Sequence, residues 1–399
     1  MVPNDLLIYK TRTLLHEFLS PVIESVDRPR KRFLHQAVRG ILFSGSLVVM
    51  ELCRWIRDEC TDRFYQDKRL LNHLVSPYGD LTEAVRHYRQ SLCSVIEPDT
   101  PLIVDITDLA KPRARRMKYL GLVRDGSNGE LVKGYWCIET YAYLRGKRVI
   151  PLAMEAYGIE DPAVGSENLQ IERVVKAIHH DLEGKGIWVA DRGFDRLELY
   201  EMWFSLKAHF VVRQKGDRAI ITPQGTRLIL WDFVDHLYHQ ETYAGRGSRV
   251  VFSRVYLPGL RGRPLYLVAS WRPGQEHPLV ALTTLVVETI DQAYQVLRHY
   301  HRRWACEEAA QFLKGRVGLE GFRVRRYEAI QRLVILALFA MGFLTWILLR
   351  SRDLTQRLFA WTSRFRRACP FAYYRLLDGL QEFSRLNPAA MPNLLSWPP

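Results

Sequence analysis

The spacing of apolar residues divides the chain into a helical first part and a mixed second part. In residues 1–98, apolar residues recur at the spacing of amphipathic helices. The stretch SGS at Ser44–Ser46 predicts a break between two of these helices, with Ser46 placed to cap the second. Two helices around a glycine-containing turn resemble a helix-turn-helix motif, although a plain helical bundle accounts for the same pattern. The stretch EPDTP at Glu97–Pro101 predicts the end of this part.

Beyond Pro101, short apolar runs alternate with segments of helical period. The run LIVDITD at Leu102–Asp108 predicts a buried strand that carries carboxylates, and two longer runs meet near Arg145–Lys147 as a hairpin. A helix, a strand, a helix and a strand are predicted next, from the stretches NLQIERVVKAIHHDL, GIWVADRGFD, LELYEMWFSLK and HFVVRQ. Three strands followed by this alternation predict a mixed α/β fold with the element order of an RNase H-like core.

The core pattern is interrupted and then resumes. Residues 216–285 are rich in strand and turn residues, and the runs RVVFSRVYL and PLYLVASW alternate as strands do, which predicts a β-rich insertion. Helical spacing returns in residues 286–350 and continues in residues 351–399.

One apolar segment allows two interpretations. Leu333–Leu349 carries no charge over 17 residues, with Arg332 before it and Arg350 after it, which is at the short limit for a membrane span. A helix buried in a protein core has the same composition. We predict the buried helix, because the motifs described below require this segment beside a catalytic core.

The cysteines and the first residues point to a cytosolic protein. The six cysteines are scattered without metal-ligand spacing, which argues against a zinc site and a disulfide framework. The N-terminal stretch lacks a charged start followed by an apolar region, so no signal peptide is expected.

The net charge of the chain indicates a class of binding partner. The chain has 399 residues, 48% hydrophobic and 25% charged, with a formal net charge of +14 and a sequence pI of about 9.6. A basic excess favours polyanionic partners, and arginine suits phosphate because its planar fork donates two hydrogen bonds. Basic residues also recur in four clusters along the chain. Each cluster alone fits a solvated basic face, but together they favour a nucleic-acid partner. The clusters are Arg28, Arg30, Lys31 and Arg32; Arg113, Arg115, Arg116 and Lys118; Arg323, Arg325 and Arg326; and Arg364, Arg366 and Arg367.

Two carboxylates occupy positions where burial makes them costly. Asp105 lies within one predicted apolar strand and Asp191 at the end of another. A single buried carboxylate can be a structural acceptor, but two on neighbouring strands suggest a Mg²⁺ site, because this ion prefers oxygen ligands. Asp108 competes with Asp105 for the first position. We favour Asp105, because it lies deeper in its strand.

A third carboxylate is available in the stretch YHRRWACEEAAQFLKG. On a continuous helix, a polar stripe would carry Tyr300, Arg303, Glu307 and Lys314. Glu308 would lie about 100° away, on a face with Trp304 and Phe312. Taken alone, the stripe equally fits an exposed amphipathic helix with a Glu–Arg pair.

These residues resemble a family. The pattern Tyr-x2-Arg-x3-Glu-x6-Lys, the stretch DRGF at Asp191–Phe194 and the strand VDITD are similar to motifs of bacterial insertion-sequence DDE transposases. The resemblance covers roughly residues 100 to 350. It implies Asp105, Asp191 and Glu307 as catalytic and metal-binding residues. Because 116 residues separate Asp191 from Glu307, an insertion in the core is required, and a β-rich insertion is a trait of this group.

The resemblance implies a mechanism and partners. Two Mg²⁺ ions, replaceable by Mn²⁺, would support DNA cleavage and strand transfer. The reaction can pass through a DNA hairpin in this group. Tyr300, Arg303 and Lys314 would grip phosphates, and Trp231 or Trp271 would stack on a flipped base unless they are β-core residues. Such proteins act as homodimers in a synaptic complex with both DNA ends, without a membrane, in the bacterial cytoplasm and nucleoid.

The resemblance also implies a role for each segment of the chain. The predicted organisation is a DNA-binding helical domain at 1–98, in which Arg30, Lys31 and Arg32 contact terminal inverted repeats, and a first core part at 99–215. The β-rich insertion follows at 216–285, the second core part with the Glu307 helix at 286–350, and a helical region at 351–399. The alternatives are a catalytically inactive DNA-binding derivative, a sequence-tolerant nuclease of the same fold, and a protein anchored in a membrane through residues 333–349.

Overall fold

The computed structural model describes most of the chain in atomic detail. The described residues are 3–24, 26–56, 62–240, 243–245, 248–260, 262–275, 277–363 and 369–387.

Helices account for both ends of the described chain. They are α1 (Pro3–Ile23), α2 (Arg28–Ser44), α3 (Val49–Cys53), α4 (Arg63–Val75), α5 (Thr82–Ser91), α6 (Glu167–Asp181), α7 (Leu197–Ser205), α8 (Leu230–Gln240), α9 (Ile290–His301), α10 (Trp304–Phe312), α11 (Tyr327–Arg350), α12 (Arg352–Trp361) and α13 (Ala372–Leu386). A π-helical turn at Leu313–Val317 follows α10, and short 3₁₀ turns occur at Cys93–Val95 and Arg192–Phe194.

Strands occupy the middle of the chain. They are β1 (Pro101–Ala110), β2 (Gly121–Arg124), β3 (Leu131–Leu144), β4 (Arg148–Tyr157), β5 (Ile187–Ala190), β6 (His209–Arg213), β7 (Ala219–Ile221), β8 (Arg227–Ile229), β9 (Tyr243–Gly245), β10 (Ser248–Tyr256), β11 (Pro264–Trp271) and β12 (Leu279–Thr283).

The predicted mixed α/β fold is confirmed. β3 and β4 begin and end where their apolar runs do, and they pair as an antiparallel hairpin around Arg145–Lys147. Along the chain, β1, β3 and β4 are followed by α6, β5, α7 and β6, which is the predicted order of an RNase H-like core. β2, a short strand of four residues, was not predicted.

The chain forms two units, each assembled from separated segments. Unit 1 comprises Met1–Ser94, Ile106–Gly165 and Cys306–Pro399, and unit 2 comprises Val95–Asp105 and Ser166–Ala305. The divisions fall within β1 and within α10. The five predicted segments, and the DNA-binding role of the first, remain predictions.

Unit 1 packs helices around the hairpin of β3 and β4. The apolar helix α11 contacts β4 and the N-terminal helices α1, α2 and α4. By length and composition α11 could cross a membrane, but 72% of its apolar window is buried inside the protein. Protein contacts therefore account for the hydrophobicity of residues 333–349 without a bilayer.

The predicted break after α2 is present, but the helix beyond it is short. Gly45 ends α2 in the left-handed conformation, with φ 63°, where a side chain would be strained. The hydroxyl of Ser46 accepts from the amide of Val48 and helps to close this turn, while Val48 is the residue that precedes α3. Because α3 has only five residues, with three of them buried, the helix-turn-helix interpretation is wrong for this pair.

Unit 2 contains a mixed sheet. The first residues of β1 pair in parallel with β5, and β5 pairs in parallel with β6. β12, β11 and β10 continue the sheet from β6 as antiparallel strands. The insertion is not purely β, because α8 lies between β8 and β10 and buries Leu230, Phe233 and Val234. Its apolar spacing is helical, which the strand-rich composition around it obscured.

A buried polar contact joins α11 and α13 to β4 within unit 1. The hydroxyl of Tyr373 donates to the carbonyl oxygen of Val149 over 2.6 Å and accepts from the amide of Val149 over 2.9 Å. Thr345 also donates to this carbonyl over 2.9 Å. The contact satisfies the main chain of β4 where α11 covers it.

We expect Tyr373→Phe to destabilise unit 1 by about 1–3 kcal/mol, because the buried amide of Val149 loses its acceptor. Urea unfolding followed by circular dichroism measures the shift. Tyr9→Phe is the matched control, because Tyr9 is 62% exposed. Equal midpoints for the two variants would contradict the assigned role of Tyr373.

Candidate functional site

The parallel pairing of β1 with β5 in unit 2 bears on two of the predicted carboxylates. Pro101 lies opposite Ile187 and Ile103 opposite Val189, where the pairing ends. Asp191 keeps an extended backbone, with φ −83° and ψ 178°, although β5 ends at Ala190. Continued for two residues beyond the last pair, the same offset predicts Asp105 opposite Asp191, with both side chains on one face.

The turn after Asp191 is held by side chains. A carboxylate oxygen of Asp191 accepts from the amide of Gly193. The guanidinium of Arg196 donates to the carbonyl oxygen of Gly193 over 2.9 Å. It also bonds to Asn168 over 2.7 Å and to Glu167 over 2.5 Å at the start of α6. These bonds fix the direction in which the chain leaves β5.

Arg303 is the counter-ion of Asp105. Its Nη1 lies 3.1 Å from Oδ2 of Asp105, and the Arg303 side chain is only 9% exposed. A buried guanidinium requires a charged or polar partner, and Asp105 provides one. The predicted phosphate contact of Arg303 remains a prediction, and the structure adds this pairing to it.

The continuous helix predicted for residues 300–314 is wrong. Tyr300 lies in α9, Arg303 in the turn after it, Glu307 in α10 and Lys314 in the π-helical turn. The amide of Arg303 bonds to the carbonyl oxygen of Tyr300 over 2.9 Å, a tightening that ends α9 and brings Arg303 to Asp105.

The predicted faces of this stretch change accordingly. Trp304, expected on one face with Phe312, is 62% exposed, whereas Phe312 is buried. Glu307 and Glu308 are both half-buried in α10, so their exposure does not separate them. The assignment of Glu307 as a ligand remains a prediction.

Lys314 and Asp108 form a separate pair in unit 1. The amine of Lys314 lies 3.0 Å from Asp108 and 3.1 Å from Glu320. Burial opposes the charge of Lys314, but the hydrogen bonds and charges of Asp108 and Glu320 outweigh this effect and raise its pKa. Asp108 also accepts from the amide of Gly126 over 3.2 Å. These contacts give Asp108 a structural role.

A cleft in unit 2 combines cations with aromatic rings. It encloses about 440 Å³, and its lining includes no carboxylate among the residues that the structure describes. We call it the aromatic–basic cleft, and its charged and aromatic lining residues are Arg192, Arg213, Lys215, Arg272, Arg303, Trp231, Tyr300 and Trp304, together with His277 and His301. Tyr300, Arg303 and Trp231, which were singled out from the sequence, thus meet in one cleft. The combination suits phosphate groups and bases.

Comparison with known proteins identifies the family. Residues 101–343 match the family model described as the transposase DDE domain. The chain belongs to the DDE transposase family. No curated protein matches it. One similar solved structure is the cryo-EM structure of a piggyBac transposase synaptic complex with hairpin DNA. The identity is 12% and the TM-score 0.49, over 98% of this chain and 82% of that one.

The two tryptophans proposed for this DDE transposase differ in position. Trp231 lies in α8 and lines the aromatic–basic cleft, with its indole against Gly216 and its ring centroid 5.9 Å from that of His277. Trp271 ends β11 and packs on Tyr238, with ring centroids 4.7 Å apart; it does not line the cleft. The structure therefore favours Trp231 as the accessible ring, and neither side chain is a fully buried core residue.

Sequence reasoning missed residues that position the loop beneath Trp231. Asp195 is buried, and its Oδ1 lies 2.6 Å from Arg218 and 3.0 Å from the hydroxyl of Tyr200. The amide of Lys215 bonds to the other oxygen of Asp195 over 3.5 Å. The signal for Asp195 was present in the sequence as a second carboxylate four residues after Asp191.

Histidine contributes a neutral acceptor to the cleft of this DDE transposase. Burial, followed by the charge of Arg272, lowers the pKa of His301. Arg272 lies 2.6 Å from Nε2 of His301, so the neutral ring accepts a hydrogen bond from the guanidinium. The bond orients Arg272 at the edge of the cleft.

The basic residues predicted to bind terminal repeats lie at the start of α2 in unit 1. Arg30 is held internally, by an ion pair of 3.2 Å to Asp27 and a bond of 2.5 Å to the carbonyl oxygen of Tyr78. Lys31 is half-buried and Arg32 exposed. The basic cluster at Arg364, Arg366 and Arg367 lies outside the described residues.

The oxygen-rich pair of Asp105 and Asp191 fits the metal chemistry of the DDE family. Carboxylate oxygens are the ligands that Mg²⁺ prefers, and the charge of Asp105 is balanced by a cation, Arg303. Among the described residues, no group of three or more His, Cys, Asp or Glu side chains converges on a metal-binding position. The assignment of Asp105, Asp191 and Glu307 as metal ligands therefore remains a prediction.

We expect Gly216→Ala to destabilise unit 2 by about 2–4 kcal/mol, because φ is 98° and the new Cβ would lie 1.9 Å from the indole nitrogen of Trp231. Gly225→Ala is the control, since φ is 84° there and no atom lies within 4 Å; its expected cost is about 1–2 kcal/mol.

Urea unfolding measures both costs, and the double variant Gly216→Ala, Trp231→Ala should recover the steric part. Equal losses for the two glycines would contradict the close packing of Gly216 on Trp231.

Proposed function

We propose that this DDE transposase cleaves the ends of its mobile element and joins them to target DNA by metal-dependent phosphoryl transfer. The observation that carries the proposal is the parallel pairing of β1 with β5, whose offset, continued two residues past the last pair, would bring Asp105 opposite Asp191 inside the region that matches the family model. A structural role alone does not require two carboxylates at this strand end.

Asp105, Asp191 and Glu307 would hold the metal ions. Two Mg²⁺ ions, replaceable by Mn²⁺, supply activation of water or a 3′-hydroxyl and stabilisation of the leaving oxygen. The sequence preference for Asp105 rested on its depth in the strand, which is wrong, because β1 runs to Ala110 and Asp108 is the more buried of the two. We keep Asp105 as the first ligand because it lies nearer to the residues that pair with β5, whereas Asp108 contacts Lys314 and Gly126. No covalent protein intermediate is needed.

The aromatic–basic cleft would hold the terminal nucleotides. Its cations would bind the phosphates, and Trp231 would stack on a base displaced from the duplex, as a hairpin intermediate requires. Arg303 balances Asp105 in the DNA-free protein and also lines this cleft, so a bound phosphate would lie within its reach. Arg303 thus links the binding of DNA to the charge balance of the first carboxylate.

Further parts of the proposal rest on the sequence. Arg32 and Lys31 would contact the terminal inverted repeats, with Arg30 mainly shaping the start of α2. Lys314 would contact a phosphate after exchanging one of its two carboxylate partners. The protein would act as a homodimer in a synaptic complex, associated with the bacterial nucleoid.

We expect Asp105→Asn and Asp191→Asn each to lower the cleavage rate by at least about 10²–10³-fold, because each removes charge that stabilises the transition state. Asp108→Asn should stay within about tenfold of the wild type, since Asp108 orients Lys314. The substrate is a duplex that carries the inverted repeats flanking the coding region, with Mg²⁺ or Mn²⁺.

Thermal unfolding controls for the loss of fold in each variant. A wild type no more active than Asp191→Asn would support the inactive DNA-binding derivative instead. Cleavage without joined products on a target plasmid would support a nuclease. Greater loss from Asp108→Asn than from Asp105→Asn would reverse the assignment of the first ligand.

Glu307 and Glu308 form a matched pair for the third ligand, since both are half-buried in α10. We expect Glu307→Gln to reduce cleavage by about 10²–10³-fold while DNA affinity is retained, and Glu308→Gln to have a smaller effect. Cleavage assays and a mobility-shift assay in EDTA separate catalysis from binding. Equal losses of cleavage from both variants would reject Glu307 as the ligand.

A further inference from the structure

A second basic depression lies in unit 1, formed by the loop after β1 and the loop before α11. It encloses about 550 Å³ and is lined by five arginines: Arg113, Arg115, Arg116, Arg323 and Arg325. We call it the arginine cleft. All five arginines are exposed.

Hydrogen bonds between the two loops form the floor of the arginine cleft. The amine of Lys111 donates to the carbonyl oxygens of Glu320 and Phe322, the latter over 2.8 Å, and lies 3.5 Å from the centroid of the Phe322 ring. The amide of Ala110 bonds to the Glu320 carboxylate over 3.1 Å. These bonds tie the two loops together, so the arginines on either side keep a fixed separation.

A second tie closes the far end of the cleft. The amide of Lys118 donates to the carbonyl oxygen of Arg325 over 3.1 Å. Burial lowers the pKa of Lys111 to about 8, which reflects how far the amine is withdrawn from water beneath the cleft. Lys111 therefore organises the floor, and the arginines supply the accessible charge.

The charge of the cleft is not balanced from within. Among the lining residues that the structure describes, Glu320 is the single acid, and its carboxylate is occupied by Lys314 and by the amide of Ala110. Within the described part of the chain, none of the five arginines pairs with a carboxylate. Like charges held at close range repel one another, so the cleft costs stability until an anion occupies it.

The lining also limits what can be recognised. Phe322 is the one aromatic residue in the described lining, and it is 1% exposed beneath Lys111. Without an accessible ring there is no surface on which a base can stack, in contrast to the aromatic–basic cleft. Arginine forks without aromatic platforms bind phosphates and carry no direct information about sequence.

We propose that the arginine cleft is a separate docking site for the phosphate backbone of duplex DNA of any sequence, as target DNA must be. The inference rests on the proposed function only in taking DNA as the substrate. The cleft would hold target DNA through several phosphates on one or both strands, and its grip would weaken steeply with salt.

Binding without cleavage tests the proposal independently of catalysis. A labelled 30-base-pair duplex of unrelated sequence is titrated with the full chain in EDTA over a salt series. We expect Arg323→Gln, Arg325→Gln to weaken binding about 10–100-fold at low salt and to lower the slope of log affinity against log salt by about 1–2, since each phosphate contact contributes about 0.9.

The matched control removes the same charge elsewhere in unit 1. Arg145 and Lys147 are exposed in the hairpin turn between β3 and β4, so Arg145→Gln, Lys147→Gln should change the affinity less than about threefold. Equal weakening by the two double variants would overturn the proposal, because it would assign the effect to net charge.

Stability and ligand choice provide further readouts. Because the arginines repel one another, Arg323→Gln, Arg325→Gln should keep or raise the melting temperature, and Arg113→Gln, Arg115→Gln, Arg116→Gln provides a second, independent set. The loss should be no larger for a duplex that carries the element ends, because the aromatic–basic cleft and the start of α2 would also hold that duplex. A loss confined to that duplex, or larger for an RNA duplex of the same sequence, would overturn the assignment to sequence-independent DNA.

Failure of the proposed function remains distinguishable. A protein that never cleaves the end-bearing duplex but shows the expected pattern of binding would refute the transposase reaction and leave the docking site supported. Conversely, a protein that cleaves the end-bearing duplex would support the transposase reaction. If its Arg323→Gln, Arg325→Gln and Arg145→Gln, Lys147→Gln variants bound DNA equally, the docking site would be refuted.

Discussion

The parallel register of β1 with β5 is the constraint on which the site depends. Main-chain hydrogen bonds set this register, and continued past its last pair it would align Asp105 with Asp191, although 86 residues separate them. A shift by one residue would turn one carboxylate to the opposite face of the sheet. Leu102, Ile103 and Val104 are all fully buried, as are Trp188, Val189 and Ala190, so both faces of these strands are packed. A shift would have to exchange large and small side chains on both faces at once, and close packing therefore holds the register.

Charge balance follows from this arrangement. Asp105 pairs with Arg303, Asp108 with Lys314, and Asp195 with Arg218. Each pair involves at least one side chain that is largely buried, where an isolated charge would be costly. Among the described residues, four arginines line the aromatic–basic cleft and five line the arginine cleft. Positive charge is therefore gathered at two places where phosphate can enter.

Much of the fold and part of the site could be predicted from the sequence. The ends of β3 and β4 were visible because apolar runs and a glycine turn mark them. The sequence placed Asp105 within one predicted strand and Asp191 at the end of another, and the structure pairs these strands in parallel, while the role of the two residues as ligands stays a prediction. The helix break at Arg302–Arg303 could not be predicted, because its cause is an ion pair to Asp105, 198 residues away. The pairing of Lys314 with Asp108 is similarly remote, and the strand-rich composition around Trp231 concealed α8.

The segmented composition of unit 1 has a consequence for synthesis on the ribosome. Its parts come from Met1–Ser94, Ile106–Gly165 and Cys306–Pro399, and α11, which covers β4 and α2, belongs to the last of them. During translation, the apolar surface of β4 must therefore wait for residues 158–326 before α11 begins to emerge, and that of α2 for residues 45–326. Unit 2 has all of its residues once Ala305 has been made. At about 5–20 residues per second, the hairpin stays without this cover for roughly ten to thirty seconds, a period in which exposed apolar surface favours aggregation.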